Sequence, residues 1–439
     1  MLLLHRARVS KPCFQALSTR RLWASATSSE VSLSNSLNSC LTQLFPEKSA
    51  AEKPKCDLCL VFATQSFDSS ELESIPLELK SRVDSKVTLG CVVDKVLTKE
   101  GFVNGVGIVV GSFENARLHP FYDDNNKRKV MKEKSVGRWK RPSEIKKESM
   151  ETFDWTKFTS ISSATNSFAL PEGLEEAKKT DSSLILLATD KEPDQLLETL
   201  DHHFPTSSKF GLIGSSTPFS TGRPTTLYLN DKVFSGGAVG VVISDSTKEI
   251  QKPALSLQFP SLRSLGSPMK ITRCRGNVIL ELDEANATQL LLSSLQADQS
   301  YMISKEVDMY LKIFSTEDIE SSGPAVIHKI TSGDPSKGTM SIDTIADLKV
   351  GQYVQFLCEK NQEPAFPDDD TPDIETFPLS LGTSSIEHMG AEIPHKSKNV
   401  PFSFYSENGF HLSTPNGESG KGITWTCTAP WSNGRLSLK

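Results

Sequence analysis

Leu184-Ile-Leu-Leu-Ala-Thr-Asp190 decides the fold, because it restates Leu58-Cys-Leu-Val-Phe-Ala-Thr64. Both are short runs of strand formers that reach Ala-Thr before the chain turns polar. Downstream of the first, Leu72, Ile75, Leu79 and Val83 recur at helical spacing and make one apolar face. Pro76 within that pattern offers a helix start in place of Glu71. Lys86-Val-Thr-Leu-Gly-Cys-Val-Val93 then reads as a second strand broken by Gly90, and Gly105-Val-Gly-Ile-Val-Val110 as a third. Downstream of the second run, Leu196, Leu197, Leu200 and Phe204 form a helix face that Pro193 can open and Pro205 stops. Lys209-Phe-Gly-Leu-Ile-Gly214 and Ala238-Val-Gly-Val-Val-Ile243 supply the matching strands. The interval from Ala63 to Gly90 equals that from Ala188 to Gly214 to within one position.

The chain therefore reads as α+β, with a β-α-β-β unit present twice. The expected result is packed, largely antiparallel sheets with helices on the outer faces. A period of about 125 residues marks a duplicated domain half, since solenoids repeat every ~20–50 residues. Two such units must cover each other's apolar sheet faces. The near-continuous apolar third strands fit burial on both sides.

The stretches around this pair differ in composition. At 439 residues, two or three domains are expected, and a net charge of −6 points to no polyanionic partner. No apolar run approaches the ~18 residues that span a bilayer, so a soluble mature chain without a transmembrane segment is expected. In residues 1–30, Arg6, Arg8, Lys11, Arg20 and Arg21 all precede the first acid, Glu30, which is the composition of a mitochondrial transit peptide. Its positive charge suits import driven by a negative-inside potential. Residues 31–55 read as a linker and 56–246 as the duplicated part, interrupted by a basic insertion at 125–150. Residues 267–360 read as a further strand-and-helix part, 361–400 as an acidic Pro-rich linker and 401–439 as divergent strands. The insertion holds ten Lys or Arg against two Glu between 125 and 147. It has little aromatic interleaving beyond Trp139 and no nucleic-acid motif, so it reads as solvated chain and no nucleic-acid partner is expected.

Chemistry is sparse. The eight cysteines are scattered, and Cys56-Asp-Leu-Cys59 opens a strand, where residues three apart point to opposite faces. No phosphate loop, G-x-S-x-G elbow or H-E-x-x-H motif is present, so no metal, cofactor or catalytic residue is assigned. His202 and His203 end a helix, where its dipole favours a cation. The best polar cluster is Gly214-Ser-Ser-Thr217 with Arg223 after the second strand of the second copy. Backbone N–H groups and a guanidinium there could hold a carboxylate or phosphate. The plainer reading is a hairpin loop with Gly222 and Pro224 as turn residues. Gly90 and Cys91 take the corresponding place in the first copy, so the candidate ligand residues are Gly90, Cys91, Gly214, Ser215, Ser216, Thr217 and Arg223.

The ordered series 58–64, 86–91, 210–214 and above all Thr225-Thr-Leu-Tyr-Leu-Asn-Asp-Lys-Val-Phe-Ser-Gly-Gly-Ala-Val-Gly240 resembles the FIST family. Gly276-Asn-Val-Ile-Leu-Glu-Leu-Asp283, Gly333-Asp-Pro-Ser-Lys-Gly338 and Val350-Gly-Gln-Tyr-Val-Gln-Phe356 resemble that family's C-terminal part. The chain looks like a fungal-like mitochondrial member, distantly related to F-box proteins that carry a FIST domain. The resemblance implies a non-catalytic sensory module that binds a small metabolite such as an amino acid, or a protein partner. It departs from the family at Gly90-Cys-Val-Val93, where a more polar stretch is expected. It departs again at Glu407-Asn-Gly-Phe410 and 425–431, in place of a Cys- and Gly-rich region with a Gly-Glu segment. Two other functions stay open: a matrix hydrolase or transferase using Cys91 or Ser215 as nucleophile, and an adaptor in ubiquitin-linked protein turnover.

Overall fold

The computed structural model describes residues 22–46, 53–98, 101–113, 115–124, 169–179, 182–245, 253–297, 308–314, 326–344, 347–360, 379–384, 403–413 and 424–437. The basic insertion, residues 1–21 of the leader and most of the acidic linker lie outside these residues. The described chain is α+β and mostly strand, with four helices and four sheets.

The first sheet runs β1 (Leu22–Ser28), β6 (Val106–Ser112), β2 (Lys55–Thr64), β3 (Asp84–Val93), β10 (Leu227–Leu229) and β11 (Lys232–Phe234). The second runs β24 (Trp425–Cys427), β23 (Phe410–Ser413), β9 (Ser208–Ile213), β8 (Ser182–Thr189), β12 (Ala238–Asp245) and β7 (Ala116–Asp123). In the first, helix α2 (Ser69–Arg82) joins the parallel pair β2 and β3, and β6 lies antiparallel beside β2. In the second, helix α3 (Asp194–His203) joins the parallel pair β8 and β9, and β12 lies antiparallel beside β8. Each sheet also takes a strand from beyond its own unit. β10 from the later hairpin pairs with β3, and β7, which follows the first unit, pairs with β12.

Alternation along the strands sorts the side chains. Leu58, Leu60 and Phe62 share one large core with Leu186, Phe210, Leu212 and Val241 of the second sheet. Cys59, Val61 and Ala63 share another with Leu72, Ile75 and Leu79 of α2 and with Leu33 and Leu37 of α1 (Leu33–Leu44). Leu196, Leu197 and Leu200 of α3 pack on Ile185, Leu187 and Val242. Cys56 joins Cys59 in the cluster beneath α1 and α2 instead of facing away from it.

The third sheet is β13 (Ala254–Gln258), β25 (Asn433–Ser437), β21 (Leu379–Thr383), β22 (Ser403–Ser406), β4 (Lys95–Thr98) and β5 (Gly101–Val103). The fourth is β14 (Leu262–Arg275), β20 (Tyr353–Glu359), β17 (Met309–Phe314), β18 (Val326–Asp334), β19 (Thr339–Ile342), β15 (Val278–Leu282) and β16 (Ala285–Asn286). It packs on helix α4 (Ala287–Ala297) through Leu291, Ile279, Met340 and Phe356.

Several stretches carry more structure than their composition suggested. Residues 1–30, read as a transit peptide, contain β1, residues 31–55, read as a linker, contain α1, and residues 361–400, read as an acidic Pro-rich linker, contain β21. Each is short of apolar residues but supplies a few at the right spacing, such as Leu33, Leu37, Cys40 and Leu41. The C-terminal strands are built into the earlier sheets: β23 extends β9 and β22 extends β4. Phe404 stacks on Phe62 at 4.1 Å between centroids, and Gly107 leaves it room. A Cβ at Gly107 would sit 2.1 Å from the Phe404 ring.

Candidate functional site

Thr64 pairs with Val93 and Thr189 with Ile213, so both parallel pairs end in register. One residue further on stand Asp94 and Gly214. Asp94, not Gly90, is therefore the counterpart of Gly214. Gly90 lies deep in the sheet, where a Cβ would meet the Val61 carbonyl oxygen at 1.8 Å. The turn after β22 runs across both strand ends. Asp94 N donates to Tyr405 O at 2.9 Å, Ile213 N to Gly409 O at 3.0 Å, and Ser215 N to Val92 O at 2.9 Å. Asn408 Nδ2 donates to Gly214 O at 2.8 Å.

This crossing brings two acids together. Asp94, 7% exposed, accepts from Ser384 Oγ at 2.7 Å, from Glu407 N at 2.6 Å and from Gln65 Nε2 at 3.1 Å. Glu407 Oε1 accepts from Ser216 N at 2.8 Å and from Asn408 Nδ2 at 3.0 Å. Burial, then the hydrogen bond to Glu407 and its charge, push Asp94 up to about 7. Burial also opposes the charge on Glu407, but hydrogen bonds led by those from Asp94 and Ser216 outweigh it and hold that carboxyl below its usual range. A proton held on Asp94 and donated to Glu407 satisfies both observations. It also gives a partner to the buried Glu407 Oε2, which accepts from no other described group.

The candidate residues read from the sequence divide. Cys91, Gly214, Ser215 and Ser216 come together beside Glu407; the Cys91 Cβ lies 3.4 Å from where a Gly214 Cβ would stand. Thr217 and Arg223 belong to the hairpin. The Thr217 hydroxyl bonds Arg223 O at 3.0 Å and Thr226 Oγ1 at 2.8 Å, and the Arg223 guanidinium pairs with Glu73 of α2. Cys91 is fully buried, and burial, then the nearby Glu407, raises its thiol. Ser215 Oγ donates to Ser406 Oγ at 3.4 Å. Among the described residues no imidazole bonds either side chain. His411, the nearest by strand, is buried and pushed down to about 3 by desolvation. Its Nε2 lies 2.9 Å from Thr189 Oγ1 and its Nδ1 2.9 Å from Thr426 Oγ1. Thr189 Oγ1 itself donates to Asp190 O, so Nε2–H is the donor and Nδ1 accepts from Thr426.

The open space lies next door. A cavity of about 670 Å³ is walled by α3 on one side, by Ile313, Val326 and His328 of the fourth sheet on another, and by Ile213, Asn408 and Trp425 on the third. Asp201 fixes the α3 wall. Its carboxylate takes the buried Lys209 Nζ at 3.0 Å and both Thr424 N and Oγ1 at 2.7 Å. Lys209 Nζ also donates to Phe204 O at 2.9 Å, satisfying a carbonyl at the end of α3. His328 Nδ1 donates to Asp343 O at 3.0 Å, and desolvation pushes this imidazole down to about 4, so it is neutral.

Sequence reading missed Asp94, Glu407, Asn408 and His411. Asp94 follows a strand with no motif around it, and two of its partners, Ser384 and Glu407, are 290 and 313 positions away. Asn408-Gly409 between two short strand-like runs was the one local signal of the turn. Among the described residues no helix is long and apolar enough to cross a membrane. No curated protein matches the chain. The FIST N domain matches residues 57–285, more than half of the sequence. That span covers both parallel pairs apart from the first two residues of β2, both joining helices and the β10–β11 hairpin that follows them, and the chain belongs to the FIST N domain family.

Proposed function

We propose that this chain is a non-catalytic module that binds one small metabolite, of amino-acid size or somewhat larger, in the cavity between α3, the fourth sheet and the C-terminal strands. The observation that carries this reading is the cavity. At about 670 Å³ it falls in the size range of small-molecule sites, and it mixes apolar walls with a few fixed polar groups, as such sites do. The FIST family is one of small-ligand-binding sensory domains, generally non-catalytic, which supports the same reading. In this reading Gly214, Ser215 and Ser216 brace the Asn408 wall through Glu407. Gly90, Cys91, Thr217 and Arg223 hold the sheet and hairpin behind it.

The matching strand orders, β6-β2-β3 and β12-β8-β9, support the view that the two units are copies of one another, with helices covering the faces turned away from the shared core. The composition of the leader supports import into mitochondria. A nucleophile at Cys91 or Ser215 would need a base within reach, and the nearest titrating pair is occupied with holding the C-terminal turn. A protein partner is the second reading, on one observation: Phe219, at the hairpin tip, is fully exposed.

Thermal shift of the full chain against amino acids and central metabolites tests the proposal. A ligand must raise the midpoint by mass action. Thr428→Trp, at an exposed residue of the cavity wall, is expected to abolish the shift while leaving the unliganded midpoint close to wild type. No shift with any compound sinks the metabolite reading and leaves the partner one.

A further inference from the structure

Resting on the cavity as the ligand site, we infer that its ligand is an uncharged compound with an apolar body, which donates an N–H or O–H hydrogen to His328 Nε2. His328 lies on β18 and lines the cavity. Its Nδ1–H is spent on Asp343 O at 3.0 Å, which fixes the tautomer and leaves the lone pair on Nε2. Among the described residues nothing donates to that nitrogen. Desolvation keeps the ring neutral, so Nε2 does not meet its need by taking up a proton. The Trp425 ring stands across it, with centroids 6.3 Å apart. An acceptor set among apolar walls without a donor costs free energy, and a ligand hydrogen recovers it.

Asn408, in the wall formed by the C-terminal turn, has the same character. Both hydrogens of its amide are committed, to Gly214 O at 2.8 Å and to Glu407 Oε1 at 3.0 Å, so its Oδ1 can only accept. Gln352 reverses the pattern. Its amide oxygen takes Lys349 N at 2.7 Å, which leaves its N–H groups for a ligand oxygen. An imidazole and two amides, all neutral, thus offer hydrogen bonds. The ions of the lining are engaged or in water. Asp194, Glu198 and Asp201 of α3 have partners, and Lys329 pairs with Asp308. Lys191, Asp343 and Asp347 are exposed, where salt screens them. A charged ligand would lose its water here without a counter-ion reserved for it. Leu197, Ile213, Ile313 and Val326 give an apolar body its bed.

The test uses the full chain and compounds that share a body and differ in the donor: naphthol against its methyl ether, and indole against N-methylindole, with binding measured by calorimetry. Each donor is expected to bind about tenfold more tightly than its methylated partner. Naphthoate and naphthylmethylammonium, the same body with a charge, are expected to bind more weakly than naphthol. His328→Phe keeps a ring against Trp425 and removes the acceptor, and is expected to bring each pair to equal affinity. His328→Gln offers an amide oxygen instead and is expected to restore part of the difference. Methylated or charged compounds binding as well as naphthol, with Thr428→Trp still blocking them, would overturn the neutral-donor assignment and leave the cavity as a ligand site. A preference for donors that survives His328→Phe would overturn the role of His328. Binding by no compound would remove both the assignment and the site.

Discussion

Asp94 shows how a single residue can tie distant parts of the chain. Its carboxyl joins Gln65 after β2, Ser384 after β21 and the backbone of Glu407 after β22. A carboxyl whose folded pKa lies above its ordinary value, here about 7, adds stability that is complete in acid and is lost as pH rises toward 7. Glu407 is depressed and acts in the opposite sense, losing its contribution as pH falls below the usual carboxylate range. His328 and His411, buried as neutral imidazoles, act in the opposite sense to Asp94 as pH rises toward about 6.5, so between about pH 5 and about pH 8 the Asp94 effect is read against a variant that lacks its titration. Asp94→Asn keeps a neutral group that can donate to Glu407, with the Gln65 amide turned over to present its oxygen. Relative to wild type, its midpoint is expected to climb across the window and to exceed that of wild type at the alkaline end. Calorimetry at a series of pH values checks this; equal slopes in both proteins would mean that Asp94 does not hold the proton. The sequence hid this residue for a definite reason. Gly90 and Gly214 look alike in sequence but stand four positions out of step, and only the strand register shows Asp94 in the Gly214 place.

Helix α2 illustrates which signals govern an element. Its apolar face, Leu72, Ile75 and Leu79, was legible from spacing and is buried as expected. Its start was not, because Pro76 was read for its preference for a helix's first turn. The Asp68–Glu71 capping box sets the start at Ser69, and Pro76 lies inside the helix. There it cannot donate to the Leu72 carbonyl, the partner its position would normally serve. The buried Tyr228 hydroxyl, on β10, takes over that bond at 3.0 Å. The strand that the second unit lends to the first sheet thus also repairs the first unit's helix. Tyr228→Phe leaves that carbonyl unsatisfied and is expected to destabilise by about 1–3 kcal/mol. In a Pro76→Ala background the alanine N–H serves Leu72 instead, so the same substitution should have a much smaller effect. Urea unfolding of the four proteins of this cycle measures the difference. Equal losses in both backgrounds would separate the hydroxyl from the proline.

At the scale of the whole molecule, the parts are interlocked more than their sequence order suggests. The local patterns gave the strands and helices of the two units, because alternation and helical spacing are local. They could not give the partners of β1, β21 and β23, whose pairings join segments far apart in the chain. The N-terminus poses this most sharply, since the basic composition read as a leader runs into a strand. β1 pairs with β6 from Leu22 to Ser28, and Ala26, 1% exposed, lies in the core beneath α1. Trp23 meets Phe113 edge-on at 5.2 Å. Removing residues up to Glu30 would strip the edge from the first sheet, bare the apolar β6 and uncover one side of α1. If the leader directs import, cleavage must then fall before Leu22, next to Arg20-Arg21. A chain beginning at Leu22 is expected to unfold at the full-length midpoint, and one beginning at Val31 to unfold several degrees lower and to aggregate through the exposed β6 edge. Mass spectrometry of the protein recovered from mitochondria should place its first residue at or before Leu22. A mature terminus beyond Ser28 would mean that β1 is absent from the working protein and that another segment covers β6. Recovery outside mitochondria with residues 1–21 intact would remove the import reading while leaving the strand in place.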